Sequence, residues 1–294
     1  MEKPDIKDIG IEELANYFAS INEKPYRVKQ LIFWLYQKSV SDFRDMSDLS
    51  LDLRKKLESH FSINRLYLVD KKISGLDDTR KFLFKLEDGN LIESVLIPNI
   101  NRMTTCLSTQ VGCKFKCSFC ASGKAGFVRD LRPSEIINQL QFMVSDVSPA
   151  KVNNVVFMGM GEPLDNYANL LKAIRIINYS AAFNIGARKI TISTCGIPSQ
   201  IDKLSAENMQ FELSVSLHAA RNDLRASLMP VNSRYPLEEL IESCRKYTIK
   251  TKRIITFEYI LISEVNDSAV DARELAILLR GLKCKVNLIV CNTL

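Results

Sequence analysis

Three thiols stand within eight residues, at Cys113, Cys117 and Cys120, with gaps of three and two and with Phe119 just before the last. Thiolates are soft ligands, suited to iron–sulfur clusters or to zinc. Three of them can hold three irons of a four-iron cubane and leave the fourth iron open to a small chelating ligand. The competing reading is a structural zinc site, which needs a fourth ligand, and Cys106 or His218 could supply it. His60 and His218 are the only histidines, so any metal site leans on sulfur. Eight cysteines behind an N-terminus with no apolar signal region predict a cytoplasmic protein whose thiols bind metal or react.

The other chemistry-bearing residues follow apolar runs. Gly159-Met160-Gly161-Glu162-Pro163 comes after the run at 155–158, and Ser193-Thr194-Cys195-Gly196 after 189–192. Ser216-Leu217-His218 follows 211–215, and Asn292 follows 285–290. A barrel of parallel strands places its active site at the carboxyl ends of those strands. Taken singly, the first motif is a Gly-rich turn and His218 a satisfied core histidine. Glu93 is an acid inside the apolar stretch 91–97, either a surface residue on an alternating strand or a base whose pKa partial burial would raise. Cys106 stands seven residues before Cys113 and reads, in isolation, as a small buried hydrophobe.

These residues need elements to position them. Periodicity predicts helices over 12–18, 26–38 and 51–61, a helical head occupying residues 1–60. Residues 61–100 change to alternating or continuous apolar runs at 66–73, 81–86 and 91–97, with Glu87-Asp88-Gly89-Asn90 as a hairpin turn. That is a small antiparallel β meander. From residue 101 to 294, strands at 104–107, 155–158, 189–192, 211–215, 254–261 and 285–290 alternate with helices at 133–144, 167–179, 199–206, 236–247 and 268–282. The fold class is α/β, a partial (βα)6 barrel preceded by the helical head and the meander.

In the 294 residues, 40 Lys and Arg face 34 Asp and Glu, and 46% of side chains are hydrophobic, which excludes a disordered chain. No apolar run reaches the ~18 residues of a membrane span, so no membrane partner is expected. Residues 101–133 hold six basic side chains, Arg102, Lys114, Lys116, Lys124, Arg129 and Arg132, against one acid, Asp130. A basic cluster coinciding with the cysteines favours an anionic partner such as RNA, bound with the helical head.

The Cys-x3-Cys-x2-Cys spacing with Phe119 resembles the radical S-adenosylmethionine (SAM) superfamily. The string from Cys106-Leu-Ser-Thr-Gln-Val-Gly-Cys113 to Gly126-Phe127 resembles its RNA adenine C2-methyltransferase branch, the RlmN/Cfr type. The likeness runs from the 26–38 helix to residues 284–292. It implies a radical-SAM barrel, a 4Fe-4S cluster on Cys113, Cys117 and Cys120, and SAM held by Gly161, Glu162, Ser193, Ser216, Leu217, His218 and Asn292. It implies methylation of adenine C2 in 23S rRNA, with tRNA as a further candidate, and an external electron donor that reduces the cluster. Glu93 would remove the C2 proton, and Cys106 would resolve a covalent RNA–protein adduct. In the family a second cysteine, beyond the sixth strand, carries the methyl group. No matching segment precedes Leu294, and Val290 and Thr293 replace prolines usual around that Asn. The alternative expectation is therefore a cluster- and SAM-binding RNA-binding protein, or a diverged radical-SAM enzyme, that leaves C2 unmethylated. Cys291, and after it Cys195, are the residues that could stand in as carrier.

Overall fold

The computed structural model describes residues 3–291, so Asn292 lies outside the described residues. The chain gathers into two compact units. The first comprises the described residues up to Ser108, Leu131–Val155 and Ala168–Gly186, and the second Thr109–Asp130, Val156–Tyr167 and the described residues from Ala187.

In the first unit, helices span Ile11–Ser20, Tyr26–Ile32 and Leu51–His60. Val28, Leu31, Ile32 and Leu35 fall at helical spacing and are buried together with Leu14, Phe18, Leu53 and Leu57. Ser50 caps the third helix, its hydroxyl accepting from Leu53 N at 3.3 Å. Four antiparallel strands follow: β1 (Tyr67–Ile73), β2 (Arg80–Lys85), β3 (Leu91–Asn99) and β4 (Arg102–Cys106). The β2–β3 turn is the one read from Asp88-Gly89, with Gly89 at φ +86°. Phe82, Phe84, Ile92, Ser94 and Leu96 bury one face, and Phe142 of the helix Pro133–Asp146 meets Phe82 and Phe84 edge-on at 5.7 and 5.0 Å.

In the second unit, β5 (Gln110–Gly112) and β6 (Phe127–Asp130) form a two-stranded antiparallel hairpin. β7 (Asn154–Phe157), whose last two residues belong to this unit, precedes β8 (Ile190–Thr194), β9 (Glu212–Ser216), β10 (Ile255–Leu261) and β11 (Cys284–Val290) in the chain, and β8 to β11 pair in parallel. Helices Pro198–Leu204, Leu237–Thr251 and Ala269–Leu278 make the crossovers. Ile190, Ile192, Leu213, Val215, Ile255 and Phe257 are buried on these strands. β11 is an open edge among the described residues, with Val286, Leu288, Ile289 and Val290 exposed.

The six strands expected of the barrel are β4 and β7 to β11, each within two residues of its predicted bounds. Several short elements are additional, among them a one-turn helix at Ala121–Lys124 inside the cysteine loop. The β5–β6 hairpin lies in what reads as loop, because its three- and four-residue strands are too short for periodicity to register. The helix Asn222–Leu228 lies in a stretch assigned no element. Among the described residues no helix is long and apolar enough to cross a membrane.

Candidate active site

The cysteine loop is held shut by the hairpin on either side of it. Gly112 and Gly126 sit at φ +71° and +77°, and Cys113 N donates to Gly126 O at 3.0 Å. A Cβ on Gly112 would lie 1.6 Å from that same carbonyl oxygen, so only glycine permits the closure. Inside the loop Gly123 packs against Cys117, where an added Cβ would come within 3.1 Å of its amide nitrogen. Cys113, Cys117 and Cys120 are free, half-buried thiols. Burial pushes Cys113 up to about 11 and Cys117 up to about 12, the neighbouring sulfurs adding to both, so these two are protonated at neutral pH and metal binding must displace the protons.

The chemistry of this donor set fits a multinuclear cluster. A structural zinc site needs a fourth protein ligand beside the three thiols. A cubane asks less, since each thiolate binds its own iron. His218 does not suit the zinc reading either. Its Nδ1 accepts from Ile260 N–H at 3.0 Å, which leaves the proton on Nε2. Burial, with the Arg225 charge adding to it, drives His218 down to about 3, so it is a neutral Nε2–H donor. It occupies the left-handed region at φ +61°, its carbonyl accepts from Asn266 Nδ2 at 2.8 Å, and its ring meets Phe119 edge-on at 4.7 Å.

Fully buried Gln110 couples the cysteine hairpin to the Gly-rich turn. Its Oε1 accepts from Glu162 N at 2.8 Å, and its Nε2 donates to Asp130 Oδ1 at 2.7 Å and Asp165 Oδ2 at 2.9 Å. Gly161, at φ +99°, lies so close that a Cβ would approach Gln110 Cβ to 2.5 Å. The Glu162 carboxylate is buried and braced: Oε1 accepts from Leu164 N at 3.0 Å and Oε2 from Cys195 N at 2.7 Å. Burial raises its pKa. Glu162 therefore ties the turn after β7 to the end of β8.

Arg225, from the unanticipated helix, makes the next link. It is fully buried, and its Nη2 donates to Cys195 O at 2.7 Å and Ser216 O at 3.0 Å. Nε donates to Leu217 O at 3.1 Å and Nη1 to Asn232 Oδ1 at 2.9 Å. One guanidinium thus holds three carbonyls at the ends of β8 and β9, next to Ser193, Ser216, Leu217 and His218. Glu258 of β10 is a further buried acid, accepting from Asn287 Nδ2 at 2.6 Å. Sequence reasoning missed Gln110, Arg225 and Glu258. Glu258 carried the signal that singled out Glu93, an acid in an apolar run; the other two carried none.

The structure thus gathers the three cysteines, Gly161, Glu162, Ser193, Ser216, Leu217 and His218 into the second unit, whereas Glu93 and Cys106 belong to the first. Glu93 is half-exposed rather than desolvated, and Lys81 Nζ pairs with it at 2.9 Å. Its backbone carbonyl accepts from Ser108 Oγ at 2.5 Å. Cys106 is buried at the end of β4, opposite Val95. Gln139 braces this corner, its Oε1 accepting from Ser94 Oγ at 2.7 Å and Ser108 N at 2.8 Å. Cys195 is buried, and burial with the nearby Glu162 charge raises its thiol well above the usual range, a poor setting for a methyl-accepting nucleophile. Cys291 is half-buried.

The basic cluster is not one uniform patch. Lys114 pairs with Asp165 at 2.5 Å, and Arg132 with Glu87 at 2.9 Å, so acids distant in sequence neutralise two of the six charges. Lys116 and Lys124 are exposed on the cysteine loop, near exposed Phe127 and Val128 of β6.

Residues 5–63 match the family model described as the ribosomal RNA large subunit methyltransferase N-terminal domain. Residues 107–276 match the radical SAM superfamily. A probable dual-specificity RNA methyltransferase RlmN of Thermoanaerobacter sp. (strain X514) is 48% identical over 98% of this chain and 84% of its own length. Its namesake in Thermotoga maritima is 46% identical over the same shares. The crystal structure of a radical SAM methyltransferase from Sphaerobacter thermophilus superposes with a TM-score of 0.92 at 41% identity, covering 99% of this chain and 86% of the other.

Proposed function

The chain belongs to the RlmN group of radical SAM RNA methyltransferases, and from that premise we propose that it methylates C2 of an adenine in 23S rRNA, with tRNA as a further candidate substrate. Members of the radical SAM family work with a 4Fe-4S cluster and SAM, which together supply one-electron cleavage of a carbon–sulfur bond. In this chain Cys113, Cys117 and Cys120 hold the cluster. Gly161, Glu162, Ser193, Ser216, Leu217, His218 and Asn292 hold SAM, with His218 offering its Nε2–H. Glu93 takes the C2 proton, and Cys106 resolves the covalent adduct. An external donor reduces the cluster, and the setting is the cytoplasm. Residues 1–60 serve as an RNA-binding head, 61–100 as the linking meander and 101–294 as the radical SAM core.

One observation carries the reading. The loop bearing the three thiols is joined through Gln110 to the Glu162 turn, and through Glu162 and Arg225 to the strand ends that bear the SAM candidates. A chain that only binds RNA has no need of that continuous bracing, and the named relatives are methyltransferases over 98% of its length, so the non-methylating alternative is not favoured. The test is expression of the complete reading frame in cells whose RNA lacks C2-methyladenosine, followed by nucleoside mass spectrometry of 23S rRNA and tRNA. C2-methyladenosine is the expected product. A methyl group at another position of the base, or none, overturns the proposal.

A further inference from the structure

Glu258 is the acid of the second unit that the site as described leaves without a task. It is 8% exposed, and the hydrogen bond its carboxylate makes is to a neutral group, Asn287 Nδ2 donating to Oε2 at 2.6 Å. Among the described residues no Lys or Arg pairs with it and no donor reaches Oε1, yet Oε1 is not sealed off from outside. A carboxylate has about four acceptor positions, and one is used here. Burying a charge is costly unless partners complete it, so this acid calls for donors that the protein does not supply.

Strand register shows what Glu258 faces. Ser216 pairs with Glu258 across β9 and β10, Glu258 with Asn287 across β10 and β11, and Ser193 with Ser214 across β8 and β9. Alternation then puts Ser193, Ser214, Ser216, Glu258 and Asn287 on one face, and Ile192, Leu213, Val215 and Phe257 on the other. The polar face is the one that bears the SAM candidates Ser193 and Ser216, and Glu258 is next to Ser216 on it. The segment after β9 is tied to the same stretch of β10. Leu217 N donates to Glu258 O at 3.0 Å, and Ile260 N to His218 Nδ1 at 3.0 Å.

The chemistry of SAM narrows the choice of donor. Its amino-acid end alone carries an amine and a carboxylate on one carbon, so that end is the chelating part suited to the open iron. Ribose and adenine remain for the strand ends. A carboxylate can only accept. The vicinal hydroxyls of ribose give it two donors, whereas the adenine edge sets an acceptor nitrogen beside its amine, and a carboxylate repels that nitrogen. Dinucleotide-binding folds hold a ribose hydroxyl with an acid in the same way.

We propose that Glu258 is a cofactor-binding residue of this site, its carboxylate accepting from the ribose hydroxyls of SAM while Asn287 fixes its orientation. The assignment rests on the radical SAM reading and adds to it a residue that selects for the sugar.

The test is equilibrium binding to the cluster-reconstituted protein, kept oxidised so that no ligand is cleaved. The ligands are SAM, its 2′,3′-dideoxy analogue and its purine analogue lacking the 6-amine; the proteins are wild type, Glu258→Gln and Asn287→Ala, each checked by thermal melting. Hydrogen bonds to a charged group are worth roughly a ten- to hundredfold change in affinity, so wild type should prefer SAM over the dideoxy analogue by that factor. Glu258→Gln is expected to bind SAM more weakly by a similar factor and the dideoxy analogue as wild type does, which erases most of the preference. Asn287 is exposed, so Asn287→Ala keeps the test valid should Glu258→Gln fail to fold, and it should lose several-fold of the preference. Wild-type protein that binds SAM and the dideoxy analogue equally overturns the assignment without any variant. So does a preference undiminished in the folded variants, or one lost only against the purine analogue, which assigns the acid to adenine. Each of these leaves the methyltransferase reading intact. Reconstituted wild-type protein that binds no SAM overturns both.

Discussion

Replacing Arg225 by Met should be among the most damaging single changes outside the cysteines. The guanidinium makes four hydrogen bonds, to Cys195 O, Ser216 O, Leu217 O and Asn232 Oδ1, and is fully buried. Methionine has similar length and no donor, so four acceptors lose their partner in one step. At about 1 kcal/mol net per bond the loss is on the order of 4 kcal/mol. Relief from burying a charge, which already pulls Arg225 down to about 10, offsets part of it. Against a total stability of ~5–15 kcal/mol the protein stays folded at 25 °C. Its melting temperature should fall by roughly 8–16 °C, at about 2–4 °C per kcal/mol for a chain of this size class. SAM affinity should fall as well, because the freed carbonyls belong to the strand ends that carry Ser193, Ser216 and His218. Arg225→Lys keeps the charge but lacks the planar fork, so it should recover only part of both losses. The assays are calorimetry and equilibrium binding of SAM to the reconstituted protein. An Arg225→Met protein that melts within ~2 °C of wild type and binds SAM equally well would falsify the role given to this residue.

The other predictions concern the cluster, the loop and pH. Replacing any of Cys113, Cys117 or Cys120 with Ala should leave substoichiometric, labile iron after anaerobic reconstitution, measured by iron and sulfide analysis; full loading of the triple variant would refute the ligand assignment. Gly112→Ala places a Cβ against the Gly126 carbonyl at a positive φ, so it should cost several kcal/mol locally and abolish cluster loading even with all three thiols present. Iron content equal to wild type would show that the hairpin closes in another way. His218 binds its proton in the unfolded chain near pH 6.5 and in the folded one only near 3. The unfolded state holds more protons between these values, so stability is full above pH 6.5 and falls as pH drops through that window. Urea midpoints at pH 7 and pH 5 should diverge less in His218→Gln than in wild type, and equal divergence would mean that other groups carry the slope.

The sequence alone determined the elements whose signals are local. The 3.6-residue spacing of Val28, Leu31, Ile32 and Leu35, the Asp88-Gly89 turn and the apolar runs of the six barrel strands are properties of a few consecutive residues. So is the Cys113–Cys120 spacing, because a ligand set on one loop needs no partner elsewhere. Asn292 is a candidate by its place after an apolar run and by the family resemblance, and lies outside the described residues. What the tertiary structure decided depends on groups far apart in the chain. The exposure of Glu93 and its pairing with Lys81 follow from β-strand register, and the neutralisation of Lys114 by Asp165 from a fold-back of some fifty residues. The Gln110 coupling to Glu162 N, the Glu162 brace on Cys195 N and the Arg225 clamp on Cys195 O all run to backbone groups of distant segments. Every residue carries such groups, so no residue type announces them. The hairpin that shapes the cysteine loop is too short to show a period, and close packing of two glycines makes it possible. Local chemistry was legible because side-chain identity carries it; the positions of those side chains were not, because backbone groups of no particular sequence hold them in place.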